Sequence, residues 1–478
     1  MSAIKEAYPD YSTTRRLDEL RATEYSYLDE QGHVYLDYTG AGLAARAQYR
    51  AHETRSTGTT FGNPHSASPT SQSSTEVVEL ARRRVLSHLN ASADEYAVIF
   101  TANATAAIRL VGESYPFRRG TRLVLTSDNH NSVNGLRVYA QRAHARTTYI
   151  HTRAPELRIE TATVAASLSR PRSCNLFRAP RKNLFAYPAQ SNFTGVRHPL
   201  SWVSLAQERG YDVLLDAAAY LPTSTLDLSD IKPEFVAISW YKVFGSPTGV
   251  GCLVARHDAL TRLRRPWFSG GTIQAATVGV AWHAMAGGES AFEDGTLNFL
   301  SIPDVHFGLN WVSDIGIDVI ATRVRCLTGR LLDRLQTLRH SDGTPMARIY
   351  GPTDLDRRGG TVSFNIIDAS GKVVDERLVA LEAAAVNISI RTGCFCNPGV
   401  GEDAFGIDTR TLRPLIQART RSLEDFLRIA RLPTAGAIRV SFGIASNTQD
   451  VDFFTAFVKK TYRDRITIAD GLPPRDSC

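Results

Sequence analysis

The sequence predicts an α/β protein: a mostly parallel sheet with helices on both faces, followed by a smaller α+β domain. Three observations carry that reading. From Ser74 onward, short apolar runs alternate with amphipathic helical segments, the βαβα rhythm of a sheet covered on both sides. Beyond about Ile302 the pattern changes to long helical periodicity and then to strands that no longer alternate with single helices. The composition, 43% hydrophobic and 22% charged over 478 residues, is that of an ordinary folded chain with room for two packed domains. The expected division is an N-terminal segment over 1–30, a large domain over 31–301 and a small domain over 302–478.

Taken in order, His33–Asp37 alternates like a short strand, and a loop rich in Gly, Ser, Thr and Pro is expected from there to about Gln72. Helical period follows, with Val77, Val78, Leu80, Ala81, Val85 and Leu89 expected on one face. Strands are expected at Tyr96–Phe100, Arg122–Thr126, Asn183–Tyr187, Asp212–Asp216, Phe235–Ser239 and Gly249–Val254, with helices such as Asn131–Arg142 and Pro199–Gly210 between them. In the small domain, strands are expected at Ala347–Tyr350, Thr361–Ile366, Asn387–Arg391 and Gly436–Phe442, with helices near Val374–Ala385 and Asp450–Tyr462. Ligands of such a parallel sheet belong at the carboxyl ends of its strands.

The formal charge is +7, but the arginines are scattered and no basic block interleaves with aromatics, which argues against nucleic-acid binding. No run approaches the roughly 20 apolar residues that span a bilayer, and the N-terminus lacks an apolar signal core. No membrane association is expected, and a cytoplasmic enzyme is the simplest reading. Six cysteines spread over this length form no disulfide framework, so reduced thiols are expected. Only Cys394 and Cys396 are clustered, and they supply two ligands where structural zinc needs four, so no metal is expected.

Lysine is scarce, which makes Lys242 conspicuous. The apolar strand Phe235–Ser239 runs into Trp240-Tyr241-Lys242-Val243-Phe244, and such surroundings disfavour the ammonium ion. A neutral lysine amine forms a Schiff base with an aldehyde. Taken alone, the same pattern also suits a lysine reaching from a strand end to solvent. The preceding apolar strand ends in Asp216, an acidic residue at the sheet's carboxyl edge; alone, it suits a turn-opening aspartate equally well. Between Phe100 and Ala107 the chain passes from strand to helix through small and hydroxyl residues, including Ala104 and Thr105, which suits either a phosphate or an ordinary helix cap. There is no Walker A sequence and no G-x-G-x-x-G after a strand.

These runs, with Phe61–Ser66 (FGNPHS), Leu125–Arg137 (LTSDNHNSVNGLR), Ile238–Gly251 (ISWYKVFGSPTGVG), Arg391–Gly399 (RTGCFCNPG) and Ile438–Gly443 (IRVSFG), resemble class V pyridoxal-phosphate (PLP) enzymes of the cysteine desulfurase group. Within that group they are most like the N-terminal desulfurase domain of molybdenum cofactor sulfurases, from about residue 30 to 460. The resemblance implies PLP fold-type I, a homodimer, and Lys242 as the residue joined to the cofactor. Asp216 would face the pyridine nitrogen, while Ala104, Thr105, Ser239 and Tyr241 would bind the phosphate, with Thr272 reaching in from the second subunit. His130 would stack on the ring and shuttle protons, and Asn192 would hydrogen-bond the phenolic oxygen. Arg439 would fork onto the substrate carboxylate, with Asn63 also at the substrate. Cys396, five residues after Arg391 on a Gly- and Pro-containing loop able to swing, would take the substrate sulfur as a persulfide, with Arg391 favouring the thiolate.

The sequence departs from the pattern in two places. Where many desulfurases have Asp-Gly-Ala-Gln, this chain has Asp216-Ala217-Ala218-Ala219, which removes the usual glutamine contact to the cofactor oxygen. The sequence also ends at Cys478, without room for the further domain of a full sulfurase, so a stand-alone enzyme is expected. The expected activity is desulfuration of L-cysteine, with the sulfur passed to an acceptor protein or small molecule. The alternative is a carbon–sulfur lyase, or a decarboxylating or oxidatively deaminating enzyme, acting on a cysteine S-conjugate in natural-product biosynthesis such as lincosamide-type pathways. A non-catalytic sulfur-trafficking protein on the same fold is the remaining reading.

Overall fold

The computed structural model describes residues 2–64, 66–169, 182–417, 423–430, 434 and 436–473; His65, Cys174 and Cys478 lie outside the described residues. Its centre is a seven-stranded sheet in the order Tyr96–Thr101, Gly251–Arg256, Phe235–Ser239, Tyr211–Asp216, Asn183–Pro188, Arg122–Thr126, Arg146–Ile150. Gly251–Arg256 runs antiparallel to both its neighbours, and all other pairings are parallel. Residues of Asn183–Pro188, Tyr211–Asp216 and Phe235–Ser239 are buried throughout, as strands covered on both faces must be. Alternation is visible within one strand: Val98 and Phe100 join the larger core cluster, while Ala97 and Ile99 join the cluster on the opposite face.

The strand Arg146–Ile150 was not expected from the sequence. It is the sheet's edge, its first four residues only partly buried or exposed, so Arg-Thr-Thr-Tyr carries little of the apolar signal of an inner strand. The expected loop to Gln72 is likewise corrected. Arg46–Gly58 is a helix with Gln48 as its one buried residue, held by polar contacts: Ala45 N–H to Gln48 Oε1 at 2.9 Å and Ala47 N–H to Glu24 Oε2 at 2.7 Å. A helix without an apolar stripe reads as loop. The next helix, Pro69–His88, starts earlier than its apolar face suggests, because Ser68 caps it and Pro69 occupies its first turn.

A second, antiparallel sheet runs in the order Ala347–Tyr350, Thr361–Ile366, Ala437–Ser441, Arg391–Gly393. The strand expected at Asn387–Arg391 is split: Ile388–Ser389 pairs in parallel with Val34–Tyr35, and Arg391–Gly393 pairs with Ala437–Arg439. The N-terminal residues Ile4, Tyr11, Leu17 and Leu28 are buried in the larger core, and the fully buried Arg323 of helix Ile317–Thr337 ties Thr14 and Asp18 to it. The turn after Asn183–Pro188 joins the two sheets: Gly195, at φ +76°, lets its backbone lie against Thr361 where a Cβ would be only 2.5 Å from the carbonyl oxygen.

Candidate active site

The carboxyl ends of the large sheet's parallel strands open onto a cavity of about 440 Å³. Ala104 and Thr105 line it from the start of helix Ala104–Ser114, and Asp216 and Ser239 from two strand ends. Tyr241 and Lys242 line it from the short helix Trp240–Phe244, and His130 and Asn192 from loops. Gly245, at φ +81°, ends the Lys242 helix against the backbone of Leu43 and Ala44, which seats that helix at the sheet edge.

Burial lowers the Lys242 pKa from its ordinary value; Asp216 opposes this, while the Arg439 charge adds to it. Burial also lowers the His130 pKa, with Asp216 opposing. His130 Nδ1 accepts the Ser132 backbone N–H at 3.1 Å, which leaves Nε2 as the protonated nitrogen of the neutral ring. Asp216 is buried, and its Oδ1 accepts the Ala218 N–H at 3.0 Å. Asn103 Oδ1 caps Ala106 N–H at 2.9 Å, so the Ala104 and Thr105 N–H groups of the same first turn remain for a ligand, beside the Thr105 hydroxyl, which is 2.7 Å from Ser132 Oγ.

Arg439 is buried and stands directly opposite Arg391 in the antiparallel pair, an arrangement of like charges that costs stability unless neutralised. Asp37, not singled out in the sequence, neutralises it: Oδ1 accepts Arg439 Nη2 at 2.8 Å and Oδ2 accepts Arg391 Nη2 at 2.8 Å. Arg391 is therefore committed to Asp37 rather than available solely to a thiolate. Arg439 Nη1 donates to the Asn192 carbonyl at 3.1 Å and its guanidinium lies 4.7 Å above the Phe395 ring, while its buried Nε has no partner among the described residues. An orphaned guanidinium N–H is a site for a carboxylate.

Cys396 is a half-buried free thiol, close enough to Lys242 that a thiolate there would raise the Lys242 pKa. Its loop carries several tethers in this structure. The Cys396 carbonyl accepts the Asn131 N–H at 2.7 Å, and the Phe395 carbonyl accepts Asn192 Nδ2 at 2.9 Å. Asn397 Nδ2 donates to the Asp128 carbonyl and to Asn192 Oδ1, both at 2.7 Å. Phe395 and Cys396, at φ 56° and 54°, are both in the left-handed region, a conformation such contacts must sustain at about 1–3 kcal/mol each. Cys394 is disulfide-bonded, which corrects the expectation that all thiols are reduced.

Four expected residues lie off the cavity lining: Arg439 and Cys396, which are close enough to act on Lys242, and Thr272 and Asn63. Thr272 is buried in its own turn, its hydroxyl donating to the Ser269 carbonyl at 2.9 Å, and Asn63 lies exposed in the loop before Pro69–His88. Among the described residues, no group of His, Cys, Asp and Glu is placed to hold a metal ion, and no helix is long and apolar enough to cross a membrane.

The Aminotransferase class-V family model matches residues 34–454. The chain belongs to the aminotransferase class-V family. Among relatives, this class-V chain is 36% identical over 466 residues to human molybdenum cofactor sulfurase, covering 93% of itself and 51% of that protein. It is 34% identical to molybdenum cofactor sulfurase of Arabidopsis thaliana, covering 95% of itself and 59% of that protein. It thus spans about half the length of these relatives. In fold it is similar to a cysteine desulfurase from Thermococcus onnurineus, with TM-score 0.76, 21% identity and coverage of 93% and 97% of the two chains. An Escherichia coli cysteine desulfurase gives TM-score 0.73 at 19% identity, covering 93% and 98%. These likenesses place the class-V chain on the fold-type I architecture expected for it, a large mixed sheet covered by helices with a smaller α+β domain.

Proposed function

We propose that the protein is a pyridoxal-5′-phosphate-dependent enzyme acting on cysteine, a desulfurase that takes the substrate sulfur onto Cys396. The observation that carries this reading is the convergence of Asp216, Arg439 and Cys396, distant in sequence, close enough to act on Lys242, with Lys242 and Asp216 lining one cavity. The donor set fits the cofactor: a lysine of lowered pKa, a buried carboxylate, and a helix start that presents N–H groups and the Thr105 hydroxyl to the cavity. Ala104, Thr105, Ser239 and Tyr241 would hold the phosphate, Asp216 the ring nitrogen, and Lys242 the aldehyde carbon. When bound, the cofactor supplies an electron sink for charge developing on the substrate carbon.

Arg439 orients the substrate through its carboxylate, and Lys242 and His130 Nε2 hold and move protons at the substrate. The Cys396 thiolate attacks the substrate sulfur, and the carbon–sulfur bond breaks with its electron pair on carbon. That carbon takes a proton and leaves as alanine, with the sulfur retained on Cys396 as a persulfide. A homodimer belongs to the same reading. It is supported by the exposed antiparallel hairpin Ile273–Thr277 and Trp282–Met285 next to Thr272, on which Val278, Val280 and Trp282 are solvent-facing.

Mass spectrometry of the PLP-loaded protein and its products after addition of L-cysteine tests the proposal, with Cys396→Ala in parallel. Alanine with a one-sulfur mass gain on the wild-type protein, both lost in the variant, is expected. Pyruvate formed equally by both proteins would replace desulfuration with carbon–sulfur lysis.

A further inference from the structure

Asn192 and Gln190 are carboxamide side chains on the lining of the cavity that holds Asp216 and Lys242, and their settings differ. Asn192 spends its Nδ2 on the Phe395 carbonyl and its Oδ1 on Asn397, so its orientation is set by the Cys396 loop. Gln190 is buried, 3% exposed, and its Oε1 accepts Arg197 Nε at 3.1 Å. Because a guanidinium only donates, the atom facing Arg197 must be the oxygen, and the NH₂ is turned to the other side. Among the described residues that Nε2 donates to no protein acceptor. Arg197 is itself anchored to Thr223, and a side chain at Gly359 would overlap the Gln190 amide, so the amide is clamped from behind. An oriented amide donor on a cavity wall, with no protein acceptor among the described residues, is open to an acceptor on a ligand. Beyond Asp216 itself, the turn that follows it offers the cavity only the methyl groups of Ala218 and Ala219.

We propose that Gln190 is a cofactor-binding residue that donates its Nε2 hydrogen to the anionic ring oxygen of the cofactor, in place of any side chain from the turn after Asp216. The inference rests on the reading of the cavity as a PLP site. By stabilising the deprotonated oxygen, the donor holds down the pH at which the Lys242-linked cofactor titrates. Lys242, Asp216 and His130 line the same cavity, Arg439 acts on Lys242 and His130, and all four are untouched by the test.

The experiment is a spectrophotometric pH titration of the purified holoprotein without substrate, comparing wild type, Gln190→Leu, Gln190→Glu and Gln190→Leu combined with Ala219→Gln. Gln190→Glu preserves shape and the Arg197 contact but replaces the donor with an acceptor. The titration midpoint is expected to rise by about one pH unit in Gln190→Leu and further in Gln190→Glu, and to fall back towards wild type when Ala219→Gln restores a donor from the other wall. A folded Gln190→Glu protein that retains the cofactor and titrates as wild type overturns the inference while leaving the PLP reading intact. A wild-type protein with no visible cofactor band after loading overturns both.

Discussion

At the scale of single residues, the site depends on groups that satisfy one another before any ligand arrives. Asp37 is the clearest case, because it alone separates two arginines paired directly across the small sheet. Replacing it with Asn leaves the buried Arg439 without its counter-charge, a loss of about 3–5 kcal/mol for a fully buried pair. The more exposed Arg391 contributes little of that. If Arg439 binds the substrate carboxylate, steady-state kinetics of Asp37→Asn should show KM for cysteine raised at least tenfold and kcat changed less. An unchanged KM would separate Arg439 from substrate recognition. Asn397 is the corresponding link for the thiol, since its amide ties Asp128 to Asn192 beneath Cys396. Asn397→Ala is expected to raise the alkylation rate of Cys396 in the resting protein several-fold while lowering persulfide formation. A loop that did not depend on Asn397 would leave both rates unchanged.

At the scale of elements, what the sequence made legible follows from how each element is stabilised. Strands buried on both faces are apolar runs and were read nearly to the residue, as at Phe235–Ser239 and Thr361–Ile366. Lys242 and Asp216 were legible because each sits at the end of such a run. The edge strand Arg146–Ile150 and the helix Arg46–Gly58 were not, because pairing and polar contacts rather than an apolar stripe fix them. The tether of the Cys396 loop was also illegible, as its partners Asp128, Asn131 and Asn192 come from distant segments. The long helix Pro69–His88 ends on a histidine whose pKa burial lowers to about 4, with Arg84 adding to the effect. Its folded value lies below its unfolded one, so the unfolded chain binds the proton first and stability falls as pH drops through the window from about 6.5 to about 4. The full loss from this one group is about 3 kcal/mol. Urea unfolding at pH 7 and pH 5 should show a smaller acid loss in His88→Gln than in the wild type, and equal losses would remove His88 from the acid response.

At the scale of the whole molecule, one feature of the large domain is hard to reconcile with a lone chain in water. The hairpin from Ile273 to Met285 carries Val278, Val280 and Trp282 at 105%, 66% and 53% exposure, and Trp267 and Phe268 before it are also exposed. Each such side chain gains roughly 1.5–3 kcal/mol on leaving water, so together they form a surface that favours a partner. Beside them a second cavity of about 350 Å³, lined by Trp267 and Phe100, shares Ala102 and Gly249 with the cofactor cavity. A second copy seated there would complete a wall of the site and bring the turn holding Thr272 towards its neighbour's phosphate seat. Sedimentation of the Val280→Asp, Trp282→Glu double variant should then give a monomer where the wild type gives a dimer, and the monomer should lose PLP on dialysis that the dimer withstands. Thr272→Ala should weaken PLP retention without changing the sedimentation coefficient. If the double variant remains a dimer, the contact lies elsewhere. If it becomes a monomer that retains PLP as tightly as the wild type, the cofactor seat is built within one chain, and the buried hydroxyl of Thr272 serves only its own turn.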